Sequence, residues 1–331
     1  MSASAPSPED LELQLVEDLA QFTHDPLGCA LYSFPWGEGE LAEAQGPRDW
    51  QQGGMQDIAG HLQNPETRFQ PLMIAVASGH GIGKSAEIGM ILHWAMSTCE
   101  DCKVVFTANT ENQLRTKTGP ELAKWFRLAI NSHWFKPTAT AIYANDPGHE
   151  KSWRADAVPW SENNTEAFAG LHNNGKRIVL VFDEASNIAD KVWEVAEGAL
   201  TDENTEIIWI AFGNPTRNTG RFRECFRRYK HRWITRQIDS RNVEGTNKAQ
   251  IQKWIDDYGE DSDFVRIRVS GKFPKASDLQ LIPSDWTAAA QRREAAFGLD
   301  DALICGIDIA RGGSDNNVIR FRRGMDAKSI K

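Results

Sequence analysis

Apolar residues between Pro71 and Pro215 fall into short continuous runs that are separated by stretches with helical periodicity. The runs predict strands at Leu72–Ala77, Lys103–Thr107, Ile178–Phe182 and Glu206–Phe212. Each run is continuous instead of alternating, as expected where helices cover both faces of a parallel strand. The pattern therefore predicts an α/β fold with a central, mainly parallel sheet.

Further elements are predicted on either side of the third strand. A longer insertion before it, rich in turn formers and tryptophan, predicts edge strands around Asn131–Trp134, Tyr143–Asp146 and Trp153–Trp160. After Gly220 the periodicity changes and predicts a small lid. Its expected elements are helices at Arg221–Tyr229 and Lys248–Tyr258 and strands at Trp233–Ile238 and Phe264–Val269.

These changes divide the chain into five expected segments. They are a lead-in over residues 1–45, a core over 46–220, a lid over 221–273, a linker with a helix at Trp286–Ala296 over 274–300, and a new domain beginning with a strand at Leu303–Ile309 over 301–331. About thirty residues cannot build an independent core, so the last domain is expected to be incomplete.

The composition indicates a globular protein, with 40% hydrophobic and 25% charged residues. A net charge of −9 argues against a passive nucleic-acid coat, which normally carries a basic excess. The negative net charge does not exclude a motor that moves along nucleic acid, because a locally basic track on an acidic protein is enough to bind phosphates. Without an apolar run of membrane-spanning length or a secretory start, we expect a soluble, cytoplasmic protein that does not bind membranes.

The five cysteines are odd in number and mostly scattered, which argues against a disulfide framework. Only Cys99 and Cys102 form a CxxC pair. This pair follows a predicted helix and precedes a strand, the reverse of the order at a redox CxxC. We therefore expect a structural turn there.

The segment from Ser78 to Ser85, SGHGIGKS, lies directly after an apolar strand and directly before a helical pattern. This context is typical of a phosphate-binding P-loop, whose amides and following helix point at phosphate groups. The residues expected to surround the phosphates are Gly79, His80, Gly81, Ile82, Gly83, Lys84 and Ser85.

Individual roles follow from the chemistry of these residues. Lys84 is expected to neutralise the β and γ phosphates, and the Ser85 hydroxyl to coordinate Mg²⁺. Ser78 stands where such loops usually have their first glycine. We expect Gly79 beside it to take up the strained backbone conformation.

The apolar strand Ile178–Phe182 ends in two carboxylates, Asp183 and Glu184, which is the Walker B pattern. Asp183 is expected to bind Mg²⁺ through water, and Glu184 to act as the catalytic base that polarises the attacking water. The adjacent glutamate favours hydrolysis of ATP over phosphoryl transfer to a metabolite.

Asn214, within Gly213–Arg217, follows the next strand. At the carboxyl edge of the sheet it can contact the γ phosphate or the attacking water, which makes it a third catalytic candidate. The alternative is a turn capped by Asn-Pro.

Five ordered blocks together resemble the large terminase subunits of tailed phages and prophages, over roughly residues 25–325. The blocks are Gly46–Gln51, Ser78–Ser85, Ala167–His172 leading into Asp183–Ser186, Gly213–Pro215 and Gly306–Ala310. The resemblance implies a P-loop ATPase of the RecA/ASCE type, followed by an RNase H-like nuclease.

The resemblance also implies roles for residues outside the motifs. Gln51 would form hydrogen bonds with the edge of the adenine base. Without the family pattern, a residue on the surface of a helix is an equally good interpretation of Gln51.

His80 occupies a position at which the family often has a basic residue. A neutral histidine does not supply the fixed positive charge of that residue. The arginine that stabilises the transition state is then expected to come from a neighbouring subunit. Candidates lie in Arg217–Arg236, which contains eight Lys or Arg residues and one acid, Glu224. This stretch is either a solvated helix face or a track that faces DNA or a neighbour.

Asp308 matches the first metal ligand of the family's nuclease. One carboxylate cannot organise a two-metal site, so we expect that this chain alone does not cut DNA.

The implied function is ATP hydrolysis that drives packaging of double-stranded viral DNA into a procapsid. The implied partners are double-stranded DNA, a small terminase subunit, a portal protein and further copies of the chain in a ring. Two alternatives remain open: a helicase-like DNA-dependent ATPase, and an inactive truncated prophage remnant that binds ATP or DNA.

Overall fold

The computed structural model describes residues 7–107, 114–159, 171–275, 282, 284–294, 297–298, 300–310 and 317–327. The chain divides into two compact units, Met1–Pro274 and Lys275–Lys331. Among the described residues, no helix is both long enough and apolar enough to cross a bilayer.

The first unit alternates helices and strands, as predicted. Its helices are α1 Pro8–Ala20, α2 Pro26–Ser33, α3 Asp49–Gln63, α4 Lys84–Ser97, α5 Gly119–Leu128, α6 Asp190–Ala196, α7 Arg221–Cys225, α8 Lys248–Tyr258 and α9 Asp263–Arg268. Its strands are β1 Leu72–Ser78, β2 Lys103–Thr107, β3 Phe135–Pro137, β4 Ala141–Ala144, β5 Arg154–Ala157, β6 Arg177–Phe182, β7 Glu206–Gly213 and β8 Ile234–Ile238.

The eight strands form one sheet in the order β3-β4-β5-β2-β6-β7-β1-β8. Pairing is parallel from β5 to β8, and only β3-β4 and β4-β5 are antiparallel. The predicted α/β class and the four predicted core strands are therefore confirmed. The insertion adds β3, β4 and β5 beyond β2, close to where strands were expected.

Two hydrophobic clusters cover the sheet, one on each face. Alternate residues of β1, such as Ile74 and Met73, belong to different clusters because successive side chains of a strand point to opposite faces. Every residue of β1, β6 and β7 is buried. This double coverage explains why these strands appear in the sequence as continuous apolar runs.

One predicted strand is wrong, since Phe264–Val269 lies mainly in helix α9. Ser262 caps this helix by accepting a hydrogen bond from the Val265 amide at 3.2 Å. Val265 and Val269 are four residues apart and fully buried, so they lie on one face of a helical turn. In addition, β8 pairs in parallel with β1, so part of the segment assigned to a lid is an edge strand of the main sheet.

The CxxC pair is a structural turn, as predicted. The Cys102 amide donates to the Cys99 carbonyl at 3.1 Å between α4 and β2. Burial raises the pKa of both thiols, most strongly that of Cys102, which disfavours the reactive thiolate. All five cysteines are free.

The second unit contains helix α10 Ser284–Arg292 and an antiparallel hairpin, β9 Leu303–Asp308 and β10 Val318–Arg323. The strand predicted at Leu303–Ile309 is thus present, and all six residues of β9 are exposed.

A buried ion pair joins β6 and β7 at their first residues. Arg177 and Glu206 are register partners, and the Arg177 Nε donates to Glu206 Oε2 at 2.8 Å. Arg177 Nη1 donates to Thr98, while Glu206 also accepts from Arg68 and contacts His24. Burial alone raises the pKa of Glu206, but the Arg177 charge and these hydrogen bonds hold it below its ordinary value.

We predict that Arg177→Met lowers the free energy of unfolding by about 3 kcal/mol or more, because the Glu206 carboxylate loses its buried partner. Chemical denaturation measures this change. The control is Lys191→Met, which removes an exposed ion pair with Glu194 and should cost less than about 1 kcal/mol.

The same variant should be more sensitive to acid. The depressed pKa of Glu206 contributes stability above its unfolded pKa of about 4.3, and this contribution is lost as the pH falls through the folded value. Without Arg177 the folded pKa rises, so unfolding should begin at a higher pH. An acid midpoint equal to that of the wild type would contradict this role of Arg177.

Candidate active site

Three parallel strands end side by side at one edge of the sheet, and the predicted motifs follow them. Ala77 of β1 pairs with Gly213 of β7, and Phe182 of β6 pairs with Ala211. Because neighbouring strands are about 4.8 Å apart, the ends of β1 and β6 are separated by only about two strand spacings. Ser78 and the carboxylates after Phe182 therefore lie at the same edge.

The loop between β1 and α4 has the backbone of a phosphate cradle. Gly81 and Gly83 have φ angles of +75° and +86°, in the left-handed region that favours glycine. Gly83 also caps α4, so the amino end of that helix begins at the loop. Such an end carries partial positive charge and unpaired amides, which suit a phosphate group.

Gly79 is needed for a different reason from the one expected. Neither Ser78 nor Gly79 adopts a left-handed backbone, so the prediction that Gly79 takes up the strain is wrong. A β carbon on Gly79 would lie 2.3 Å from both the Val269 carbonyl and the Ser240 hydroxyl oxygen. Glycine is required at this position by the close approach of the chain around α9.

The outer side of the loop is held by side chains from the start of α3. Three consecutive loop carbonyls each accept one hydrogen bond from this helix. The pairs are Arg48 Nη1 to Gly81 at 3.3 Å, Trp50 Nε1 to Ile82 at 2.9 Å, and Gln51 Nε2 to Gly83 at 2.9 Å. With the carbonyls turned outward, the loop is free to direct its amides inward.

Gln51 is buried, with 3% of its surface exposed, so the alternative of a surface helix residue is wrong. Its amide group is already bonded at both ends, because Oε1 accepts from the Arg48 backbone amide at 2.8 Å. The adenine contact implied by the family resemblance stays a prediction.

The other side of the loop is braced by residues after β8. Gly79 donates its amide to the Ile238 carbonyl at 3.1 Å, and His80 donates to the Arg268 carbonyl at 2.8 Å. The Ser240 hydroxyl donates to the His80 carbonyl at 2.8 Å. Burial, assisted by the charges of Lys84 and Arg268, lowers the pKa of His80, which favours the neutral imidazole at pH 7.

Lys84 connects the loop to the other two motifs. Its ammonium lies 3.3 Å from the Ser78 hydroxyl oxygen and 3.4 Å from Asn214 Oδ1. Burial lowers the pKa of Lys84, while the charges of Asp183 and Glu184 act in the opposite direction. Both long contacts leave the ammonium able to form shorter bonds with phosphate oxygens.

Asp183 and Glu184 follow β6 in different environments. Burial raises the pKa of the Asp183 carboxyl, and the Lys84 charge opposes this rise. Asp183 accepts hydrogen bonds from the Thr118 hydroxyl at 3.1 Å and from the Glu184 amide at 3.0 Å. Glu184 has a φ of +53°, a left-handed conformation that costs a non-glycine residue free energy and often marks a functional site.

Thr118 is a site residue that the sequence did not reveal. It ends a short π-helix, Leu114–Thr118, and only 3% of its surface is exposed. Single π turns often occur at functional sites. A single threonine within a helical segment matches no sequence motif, so its role could not be predicted from the sequence.

Asn214 bridges two strands instead of capping its own turn. Its Nδ2 donates to the Ser78 carbonyl at 2.7 Å, and its Oδ1 faces the Lys84 ammonium. The side chain thus contacts both the start of the phosphate loop and its lysine.

The oxygen donors near this edge fit Mg²⁺. Ser85, in the first turn of α4, supplies a hydroxyl, and Asp183 supplies a carboxylate; both are hard oxygen ligands. The Thr107 hydroxyl, at the end of the adjoining strand β2, is buried without a hydrogen-bond partner in the part of the chain that the structure describes.

Two other predicted features have different outcomes. Asp308, at the exposed end of β9, belongs to no group of three potential metal ligands among the described residues. Of the block Ala167–His172, only Leu171 and His172 fall within the described residues.

Comparison with known proteins gives a sequence relative. The chain is 26% identical over 270 residues to the probable terminase large subunit of Enterobacteria phage P7. The predicted resemblance to large terminase subunits is confirmed. The match covers 75% of this chain and 52% of the relative, so it spans about half of that protein's length. No model of a known protein family matches the chain.

Solved structures are similar in fold. The crystal structure of the HK97 bacteriophage large terminase has a TM-score of 0.53 at 11% identity, covering 90% of this chain and 64% of that one. The ATPase domain of the Thermus phage P74-26 large terminase has a TM-score of 0.45 at 15% identity, covering 64% of this chain and 93% of that one. The likeness to the HK97 protein shows that the two chains share a fold.

We predict that Gln51→Ala weakens ATP binding more than GTP binding. Both nucleotides lose the support that the Gln51 amide gives the Gly83 carbonyl, and ATP also loses the adenine contact that the resemblance implies. Fluorescence titration with both nucleotides measures the ratio of the two affinities. The control is Gln52→Ala, whose side chain donates to the Pro47 carbonyl instead of the loop, and which should change neither affinity more than about twofold. An equal loss for both nucleotides would show that Gln51 only supports the loop, and would contradict the adenine contact.

Proposed function

We propose that this chain is the ATPase of a viral DNA-packaging motor, which hydrolyses ATP to translocate double-stranded DNA into a procapsid. The observation that carries the proposal is the convergence of Lys84, Asn214 and the Asp183-Glu184 pair at one edge of the sheet. The similarity to large terminase subunits supports the choice of DNA as the substrate of the motor.

Each residue has a defined task in the proposed reaction. The loop from Gly79 to Ser85 surrounds the phosphates and binds them through the amides from Gly81 onward, because those of Gly79 and His80 already donate to the Ile238 and Arg268 carbonyls. Lys84 neutralises the β and γ oxygens. Ser85 and Asp183 hold Mg²⁺, which supplies positive charge to the phosphate oxygens when it is bound. Glu184 accepts a proton from the water that attacks the γ phosphorus, while the bond from that phosphorus to the bridging oxygen breaks and ADP leaves with the electron pair.

Asn214 is proposed to couple hydrolysis to movement. Its amide joins the Ser78 carbonyl to the Lys84 ammonium. When the γ phosphate leaves, Lys84 loses its strongest partner and moves closer to Asn214 and Asp183. This shift changes the end of β7, from which the chain continues towards α7.

Four further parts of the proposal come from the resemblance. They are a ring of several copies with a small terminase subunit, a portal protein, an adenine contact by Gln51, and a nuclease-type metal ligand at Asp308. The location in the host cytoplasm and the division at residues 45, 220, 273 and 300 come from the sequence pattern.

We predict that Glu184→Gln abolishes ATP turnover, by about 100-fold or more, while leaving nucleotide binding within a few-fold of the wild type. The amide keeps the shape of the side chain but accepts no proton. Turnover is measured by phosphate release with and without double-stranded DNA. The matched control is Glu194→Gln on the exposed side of α6, which should keep full activity.

Lys84→Ala should fail at the earlier step and lose nucleotide binding itself, because no other ammonium contacts the loop among the described residues. Wild-type turnover that double-stranded DNA does not stimulate would refute the motor function. Full turnover by Glu184→Gln would refute only the assignment of the base.

A further inference from the structure

Between α7 and β8 the chain forms a compact series of turns with an unusual charge. We name residues Phe226–Arg232 the cationic turn. It contains Arg227, Arg228, Lys230 and Arg232 together with His231, and it has no acidic residue. This concentration of positive charge lies on a protein whose net charge is −9.

Three guanidinium groups in this region lie close to the ring of one tyrosine. The Cζ atoms of Arg221, Arg228 and Arg232 lie 4.1, 5.3 and 5.9 Å from the centre of the Tyr229 ring. Guanidinium groups are attracted to the negative face of an aromatic ring, so Tyr229 offsets part of their mutual repulsion. The result is a group of like charges held close together.

Counter-charge in the turn is incomplete. Glu197 bonds both Arg221 and Arg232 and so neutralises one of these two charges. Arg227, Arg228 and Lys230 are exposed and form no ion pair within the described part of the chain. Exposed charges contribute little to folding, and charges of one sign repel, so the fold itself gives no reason for this cluster.

The backbone beneath these side chains is fixed. The Tyr229 amide donates to the Glu224 carbonyl at 2.9 Å, and the Arg232 amide donates to Tyr229 at 2.8 Å. The Phe226 ring packs against Phe222 and Phe273, with ring centres 5.5 and 5.1 Å away. The charges are therefore presented on an ordered support, which lowers the entropic cost of binding a ligand.

The character of the surface indicates what it binds. No large hydrophobic side chain from Arg221 to Trp233 is exposed, whereas the centre of a protein interface is normally apolar. Exposed arginine and lysine with no exposed large hydrophobic residue among them suit the phosphates of a nucleic acid, which are contacted without regard to sequence.

We propose that the cationic turn binds the phosphodiester backbone of double-stranded DNA. The proposal rests on the packaging function proposed above, which supplies DNA as the substrate. Arg227, Arg228 and Lys230 form the direct phosphate contacts. Arg221 and Arg232, held by Tyr229 and Glu197, keep the local potential positive.

The test compares two triple variants of the full chain. Arg227→Ala/Arg228→Ala/Lys230→Ala removes three charges from the turn. Lys136→Ala/Lys151→Ala/Lys176→Ala removes three exposed charges elsewhere on the first unit. Binding to a non-specific double-stranded oligonucleotide is measured by fluorescence anisotropy over a range of salt concentrations. Thermal unfolding of both variants reports on their folding.

The cationic-turn variant should lose about tenfold in affinity for each missing phosphate contact near 0.1 M salt, and the slope of log K against log salt should decrease by about three. The control variant should change the slope by less than about one, since its effect is only long-range. Arg227→Lys/Arg228→Lys keeps the charges and should keep the slope.

The outcomes separate the two proposals. Wild-type protein that binds no DNA would overturn the packaging function. Wild-type binding with an unchanged slope in the cationic-turn variant would overturn only the assignment of this surface. If that variant binds DNA normally but loses self-association in sedimentation experiments, the surface faces a neighbouring protein chain and the DNA assignment is wrong.

Discussion

The half-buried ammonium of Lys84 is the group on which the site depends. It lies between the Ser78 hydroxyl, the Asn214 amide and the negative charges of Asp183 and Glu184. A buried charge is costly unless it is compensated, so the ends of β1, β6 and β7 must meet for this lysine to be tolerated. The parallel strands meet that requirement, because their carboxyl ends lie at the same edge of the sheet. The same arrangement brings the lysine, the amide and the two carboxylates together.

The phosphate loop is held from two sides by different kinds of contact. On the outer side, Arg48, Trp50 and Gln51 supply side-chain donors to three loop carbonyls. On the other side, main-chain carbonyls of Ile238 and Arg268 accept from loop amides. A loop fixed in this way has its conformation before a nucleotide arrives, so little ordering entropy is lost on binding.

Much of this arrangement could be predicted from the sequence, since it depends on local patterns. The continuous apolar runs identified the core strands, and the spacing of Gly81, Gly83 and Lys84 identified the loop. The predicted strand at Phe264–Val269 was wrong because its apolar residues suit either structure, although Ser262 offered a cue for a helix cap.

Other features depend on contacts that no local pattern encodes. Gly79 is required by the distant Val269 carbonyl, and Thr118 reaches Asp183 from a segment without a motif. Arg177 is buried only because strand pairing sets it opposite Glu206. Each of these features becomes visible only when the register and packing of the strands are known.

The main-chain half of the brace around the phosphate loop has an evolutionary consequence. A carbonyl at position 238 or 268 accepts its hydrogen bond whichever side chain the residue bears. A substitution at either position can therefore keep the geometry of the loop, provided that the new side chain fits the packing of β8 or α9.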